Sequence, residues 1–165
     1  MKNFPIIDKE TGREYWISRS VAVVIAFIAF DKNGQKCVLA VQRGKGTPDL
    51  EYIGKYCLPC GYLDFDESGR EAAARELFEE TGVERDFNLF ELIAINDDPT
   101  SDKRQNITFR YRFISNIPVE VVEKEFTTKY SEKDEVSSIR FINVKDLDLY
   151  EWAFNHEKVI KKICC

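Results

Sequence analysis

Residues 61–83 read GYLDFDESGREAAARELFEETGV, in which a helix-forming run that carries several carboxylates follows a loop opened by Gly61. From about Gly69 to Glu80 it consists of strong helix formers without a proline, so these residues predict a helix. Ser68 or Asp66 is placed to cap its start, and Gly82 stands where a left-handed residue usually closes a helix. Glu76, Glu79 and Glu80 fall at i, i+3 and i+4 and share one face, while Ala73, Ala74 and Leu77 turn toward a core. Like charges so placed repel by roughly a few tenths of a kcal/mol per pair in an isolated helix, so a bound cation is the natural compensation. Hard carboxylate oxygens at this density suit Mg2+ or Mn2+, which retain waters and bridge to phosphate oxygens. Arg75, four residues before Glu79 and eight after Glu67, is close enough to orient a carboxylate through a forked hydrogen bond. A solvated acidic face is the ordinary fate of a glutamate-rich helix and is the alternative these residues leave open.

The same residues resemble the signature of the Nudix hydrolases, G-x5-E-x7-R-E-U-x-E-E-x-G-U with U aliphatic. The match runs through Gly61, Glu67, Arg75, Glu76, Leu77, Glu79, Glu80, Gly82 and Val83. KYCLPCGYLDFDES, residues 55–68, is similar to the family's W-x-L-P-G-G-x-x-E-x-G-E-S, with Tyr56, Leu58, Pro59, Gly61 and Glu67 in register. Cys60 and Asp66 depart from it, each standing where the family commonly has glycine, and both alter loop backbone freedom rather than remove a ligand. The resemblance implies an α/β/α sandwich with a mixed β-sheet. It implies Glu79 and Glu80 as primary metal ligands, Glu76 as a further ligand or base, and the Gly61 carbonyl as a backbone ligand. Glu67 would bind a second metal or pin Arg75. The implied chemistry is attack of water on a phosphorus of a nucleoside diphosphate linked to another group, which requires cations that neutralise the pyrophosphate and acidify water.

Working outward, KETGRE within residues 1–18 reads as the turn of a small hairpin, an N-terminal extension ahead of a domain spanning residues 19–165. Strands are expected at Val21 to Phe30 and Lys36 to Arg43, joined by the Asp31-Lys32-Asn33-Gly34 turn, and then at Tyr56 to Pro59. Further strands are expected at Leu89 to Asn96, Ile107 to Ser115 and Ser138 to Ile142, with a closing helix from about Tyr150 to Ile163. Strands on either side of one helix, and a last helix, make an α+β sandwich with a mixed sheet.

The 165 residues suit one domain, and a net charge of −5 argues against nucleic acid as a partner. The apolar run Val21 to Phe30 is about half the ~20 residues a membrane span needs, so it reads as a buried strand and no membrane partner is expected. Five cysteines preclude a complete disulfide framework, and free thiols fit a reducing, cytoplasmic setting. Cys57 and Cys60 form a C-x-x-C pair, but there is no second pair at finger spacing and His156 is the only histidine, which disfavours zinc. Cys164 and Cys165 read as a frayed end.

The substrate is written less clearly. Pro99 in DDPTSDKRQNIT stands about where family members acting on ADP-ribose tend to carry a proline, although Asp-Pro also simply starts turns. Lys103, Arg104 and Arg43 are candidate phosphate contacts, and Tyr15, Trp16, Tyr52 and Tyr56 are candidates for base stacking. Glu135, in SEKDE before the last strand, lies where some family members supply an additional catalytic glutamate. The expected partner is a small nucleotide with Mg2+ or Mn2+ as cofactor, ADP-ribose being the first candidate, and the chain is compatible with a homodimer. A nucleoside triphosphate substrate, or a sensor that binds a nucleotide metabolite without hydrolysis, are the alternatives.

Overall fold

The computed structural model describes residues 4–100 and 106–164. Phe4–Ile7 (β1) and Glu14–Ile17 (β2) pair antiparallel in a two-stranded sheet of their own. Asp8 closes the turn, its Oδ1 accepting from the amides of Glu10 and Thr11 at 3.0 and 2.7 Å. Two strands alone bury little, and this hairpin touches the domain where Tyr15 meets Phe65 edge-on at 5.8 Å.

Val21–Phe30 (β3) and Lys36–Arg43 (β4) form the next hairpin, across a turn in which Gly34 takes φ +73°. The two strands pair only at Ile28–Phe30 and then diverge. Tyr56–Cys57 (β5) and Cys60–Tyr62 (β6) fill the gap, β5 pairing with β4 and β6 with β3. The single strand expected at Tyr56 to Pro59 is therefore two. The chain crosses from one partner to the other at Leu58 and Pro59, where the Pro59 carbonyl accepts from Ile25 N at 2.9 Å.

Gly69–Thr81 (α1) follows, then Glu91–Asn96 (β7) and Ile107–Ile114 (β8), with β7 antiparallel to β8 and β8 parallel to β3. Val119–Val122 (α2), a short helix that periodicity did not indicate, runs into a 3-10 turn at Glu123–Glu125. Val136–Asn143 (β9) pairs with β4 and completes a mixed seven-stranded sheet. His156–Cys164 (α3) closes the fold. The helix expected from Tyr150 starts six residues late for a tertiary reason. Trp152 is drawn into a bridge with Tyr56, and Phe154 and Asn155 both take φ +57°, which no helix interior accepts.

β3 is apolar almost throughout because helices cover both of its faces. Val23, Ile25 and Phe27 join Leu77, Ala72 and Ala73 of α1 in one core, while Val24 and Ala26 join Val159 and Ile160 of α3 in the other. The architecture is the α/β/α sandwich expected. Leu77 is fully buried on the α1 side, so Leu77→Ala is expected to cost about 2–5 kcal/mol, measured as a lower urea midpoint at unchanged m-value. No helix among the described residues is long and apolar enough to cross a membrane.

Candidate functional site

The helix that carries the site is fixed at both ends by its own sequence. Ser68 Oγ accepts from the Glu71 amide at 3.3 Å while Glu71 Oε2 accepts from the Ser68 amide at 2.7 Å, a reciprocal cap. Gly82 ends it at φ +78°, donating to the Phe78 carbonyl at 2.7 Å. In the loop before the helix Asp66 takes φ +66°, a conformation that glycine adopts freely and aspartate tolerates. The departure from the family's glycine there is thus accommodated at modest strain.

Arg75 is the hub of the acidic face. Its Nε and Nη2 grip Glu67 at 3.0 and 2.7 Å, Nη1 binds Glu76 Oε1 at 2.8 Å and Glu79 Oε2 at 3.1 Å, and Nη2 also donates to the Tyr62 carbonyl. These bonds hold the Glu67 carboxyl below the usual carboxylate range. Asp64, 3.7 Å from Arg75, belongs to the same cluster. Sequence reading did not single it out, although it stands where the Nudix pattern carries an acid.

The three helix glutamates part company in depth. Glu79 keeps 43% of its side chain exposed, Glu76 is nearly buried, and Glu80 is 3% exposed with Oε2 accepting from Cys60 N at 3.1 Å. They do not close into a ready cage: among the described residues no three carboxylate, imidazole or thiol groups are gathered around one point. Arg75 holds Glu76 and Glu79, and the Cys60 amide draws Glu80 inward, which spreads the oxygens that spacing alone expects to converge. Burial pushes the Glu76 carboxyl up to about 7, against the opposing pull of Arg75 and with help from Glu79 and Glu135. Burial also raises Glu80 well above its ordinary value, reinforced by Cys57, Glu76 and Glu135.

Gly61 lies directly against this group, since a Cβ there would collide with the Glu76 carboxylate. Glu135 lies within electrostatic reach of Glu76 and Glu80. The loop that bears it is locked to the one after β4 by Gly44 N to the Glu135 carbonyl at 2.6 Å and Gly46 N to the Asp134 carbonyl at 2.7 Å. A side chain at Gly44 or Gly46 would strike that loop's backbone. Burial raises Glu135, with Arg43 opposing and Glu132 and Glu79 assisting.

Other candidates sit differently. Arg43 is 7% exposed, its Nε donating to Thr47 Oγ1 at 2.9 Å and its guanidinium lying over the Phe154 ring, 4.0 Å from Glu135. It is an internal counter-charge rather than a free hand for phosphate. Tyr56 is 8% exposed, packed against Tyr150 and Trp152 with Arg140 over its ring, so neither face remains for a base. Tyr52 is edge-on to Phe154, and Trp16 is exposed on the hairpin. Pro99 is exposed in a turn built by Asp98 Oδ1 accepting from Thr100 N at 2.8 Å. Lys103, Arg104 and Cys165 lie outside the described residues. Cys37, Cys57 and Cys60 are free thiols. His156, discounted from sequence as a lone histidine, is buried, and its Nδ1 accepts from Leu58 N at 3.0 Å where the chain passes from β5 to β6. Burial, with Arg110 and Arg43 nearby, lowers its pKa to about 3, so it is neutral.

The profile of the NUDIX domain matches residues 19–163. No curated protein matches the chain significantly. Solved structures do. A MutT/nudix family protein from Enterococcus faecalis shares 20% identity at TM-score 0.66, over 88% of this chain and 61% of that one. The NUDIX domain of Shewanella oneidensis NrtR, complexed with ADP ribose, shares 22% at TM-score 0.68, over 89% and 87%. A bifunctional NMN adenylyltransferase/ADP ribose pyrophosphatase from Francisella tularensis, complexed with AMP and a Mn ion, shares 22% at TM-score 0.65, over 89% and 41%. The chain thus spans under two thirds of the Enterococcus and Francisella proteins, and at these identities the likeness speaks to the fold. With the domain profile covering all but the N-terminal hairpin and the last residues, the chain belongs to the Nudix hydrolase family.

Proposed function

We propose that this protein is a divalent-metal-dependent pyrophosphatase that hydrolyses a nucleoside diphosphate linked to another group, with ADP-ribose the leading substrate. The observation that carries the reading is the pair of buried carboxylates, Glu76 against Gly61 and Glu80 at the Cys60 amide, with Glu135 within electrostatic reach of both and too little positive charge to neutralise them. Buried like charges are costly unless a cation joins them. The donors suit Mg2+ or Mn2+, since the oxygens of Glu76, Glu79 and Glu80 and the Gly61 carbonyl are all hard ligands. When bound, such an ion neutralises pyrophosphate oxygens and lowers the pKa of water.

The chain's own residues supply the rest. Arg75, gripping Glu67, Glu76 and Glu79, sets the carboxylates in a fixed fan. Glu135, held by its loop and raised in pKa, is placed to receive a proton on its carboxylate. Water adds to one phosphorus and the P–O bond of the anhydride breaks, leaving two phosphate monoesters. The neighbours solved with ADP ribose, and named as an ADP ribose pyrophosphatase, favour that substrate. The net charge of −5 favours a small nucleotide over nucleic acid.

The test is product analysis after incubation with ADP-ribose and Mg2+ or Mn2+, with a chelator control. AMP and ribose phosphate are expected, only with metal. Nucleoside monophosphate and pyrophosphate from a triphosphate, with ADP-ribose untouched, would replace this substrate. Tight ADP-ribose binding without product would make the protein a sensor.

A further inference from the structure

A second pocket lies on the other side of the sheet, between its β7–β8 edge and α3. It encloses about 180 Å3, below the ~300 Å3 at which pockets for larger ligands begin. Arg110, Arg112 and Lys162 bring positive charge to it, and Ile93, Val159 and Ile163 give it apolar walls. Side-chain alternation explains the placement. On β8, Phe109, Tyr111 and Phe113 face the α1 core, so Arg110 and Arg112 project from the opposite face. Arg110 lies in register between Val24 of β3 and Ala94 of β7, neither of which offers it an acceptor.

The cations are not equivalent. Arg112 is already spent on Glu91, with Nη2 to Oε2 at 2.6 Å and Nε at 3.1 Å. Lys161, the neighbour of Lys162, is taken by Asp148 and Glu157, both at 2.6 Å. The Arg110 side chain is half-buried and, among the described residues, has no hydrogen-bond or ion-pair partner, and burial depresses its pKa. A guanidinium cannot shed its proton to escape that situation, so it keeps a charge and donors that are poorly solvated. Lys162, exposed at the pocket rim, adds a second uncommitted charge. In a chain of net charge −5, two unpaired cations converging on one pocket call for an explanation.

We propose that the Arg110–Lys162 pocket binds a phosphate dianion, either inorganic phosphate or the terminal phosphate of a small metabolite. Two free positive charges match a dianion, the guanidinium fork matches phosphate oxygens, and the apolar walls accept a short carbon moiety. The site is separate from the carboxylate cluster and stands whether or not ADP-ribose is hydrolysed.

The test is an amide NMR titration of metal-free protein in chelator at constant ionic strength, with inorganic phosphate in one arm and phenyl phosphate in the other. Saturable shifts are expected at Ala94, Arg110 and Ile163, with α1 unmoved. Charge-assisted hydrogen bonds to phosphate predict that Arg110→Met weakens binding about tenfold or more. Lys162→Glu, on an exposed helix position, weakens it as well and serves if the Arg110 variant fails to fold. Tighter binding of phenyl phosphate points to a metabolite, and equal binding points to the free ion. Shifts absent from the wild type, centred on α1 instead, or unchanged in both variants would overturn the proposal.

Discussion

Glu79→Gln is expected to lower kcat by about a thousandfold or more, because the charge stabilisation a bound metal gives the transition state is worth several kcal/mol. The fold should be untouched. Glu79 is the most exposed of the three helix glutamates and, among the described residues, its side chain bonds only to Arg75, which retains its two-pronged hold on Glu67. Glutamine keeps the shape and removes the charge, and a surface change of this kind shifts stability by about half a kcal/mol at most. Turnover at saturating Mg2+, read beside the thermal midpoint, separates the two effects. Near-native turnover would remove Glu79 from the catalytic assignment.

Glu76→Gln is expected to do something less usual: to stabilise the metal-free protein while it abolishes activity. The Glu76 carboxyl is raised from 4.5 to about 7 in the folded state. Its favourable contribution is therefore full below pH 4.5 and lost as pH rises through about 7. By linkage the charged form costs on the order of 3 kcal/mol at pH 8, which glutamine avoids. The variant should match the wild type near pH 4.5 and exceed it by about that amount at pH 8 in chelator. Saturating Mg2+ should close the gap, since binding stabilises the wild type by mass action.

The comparison must be between variants, because His156 works against Glu76 in the raw pH profile. Its pKa falls from 6.5 to about 3 on folding, so its contribution is full above pH 6.5 and lost as pH falls toward 3. Between about pH 4.5 and 6.5 the slopes of Glu76 and His156 oppose, and Glu80 and Glu135, also raised by burial, add to the slope of Glu76. Denaturant midpoints at pH 4.5 and 8 give the result. A variant less stable than wild type at pH 8 without metal would show that Arg75 already neutralises this carboxylate.

How far the site was legible depends on how local its causes are. The cap at Ser68, the stop at Gly82 and the grip of Arg75 on Glu67 and Glu79 each join residues no more than eight positions apart, and the spacing announced them. The long strands Val21–Phe30 and Ile107–Ile114 were equally plain, because burial on both faces or on one leaves a run or an alternation. The strand at Tyr56 differs because the chain passes from β4 to β3 at Leu58 and Pro59, and the start of α3 differs because of a long-range contact. The Tyr56–Trp152 bridge joins segments almost a hundred residues apart and holds Trp152 extended where periodicity predicts helix. Arg43 and Tyr56 looked available for substrate and proved enclosed, since Glu135, Phe154, Tyr150 and Trp152 reach them only in the folded chain.

The family was legible in a motif that matches position by position, while the α+β layering and the carboxylates that share a helix followed from periodicity and from contacts a few positions apart. Tertiary structure alone decided that Glu80 turns inward to the Cys60 amide, that Glu135 comes within electrostatic reach of both buried carboxylates, and that the Arg110 side chain is left half-buried with no acceptor among the described residues. Those outcomes depend on which distant segments exclude water from a given charge, and burial of that kind is a property of the packed whole that no local spacing encodes.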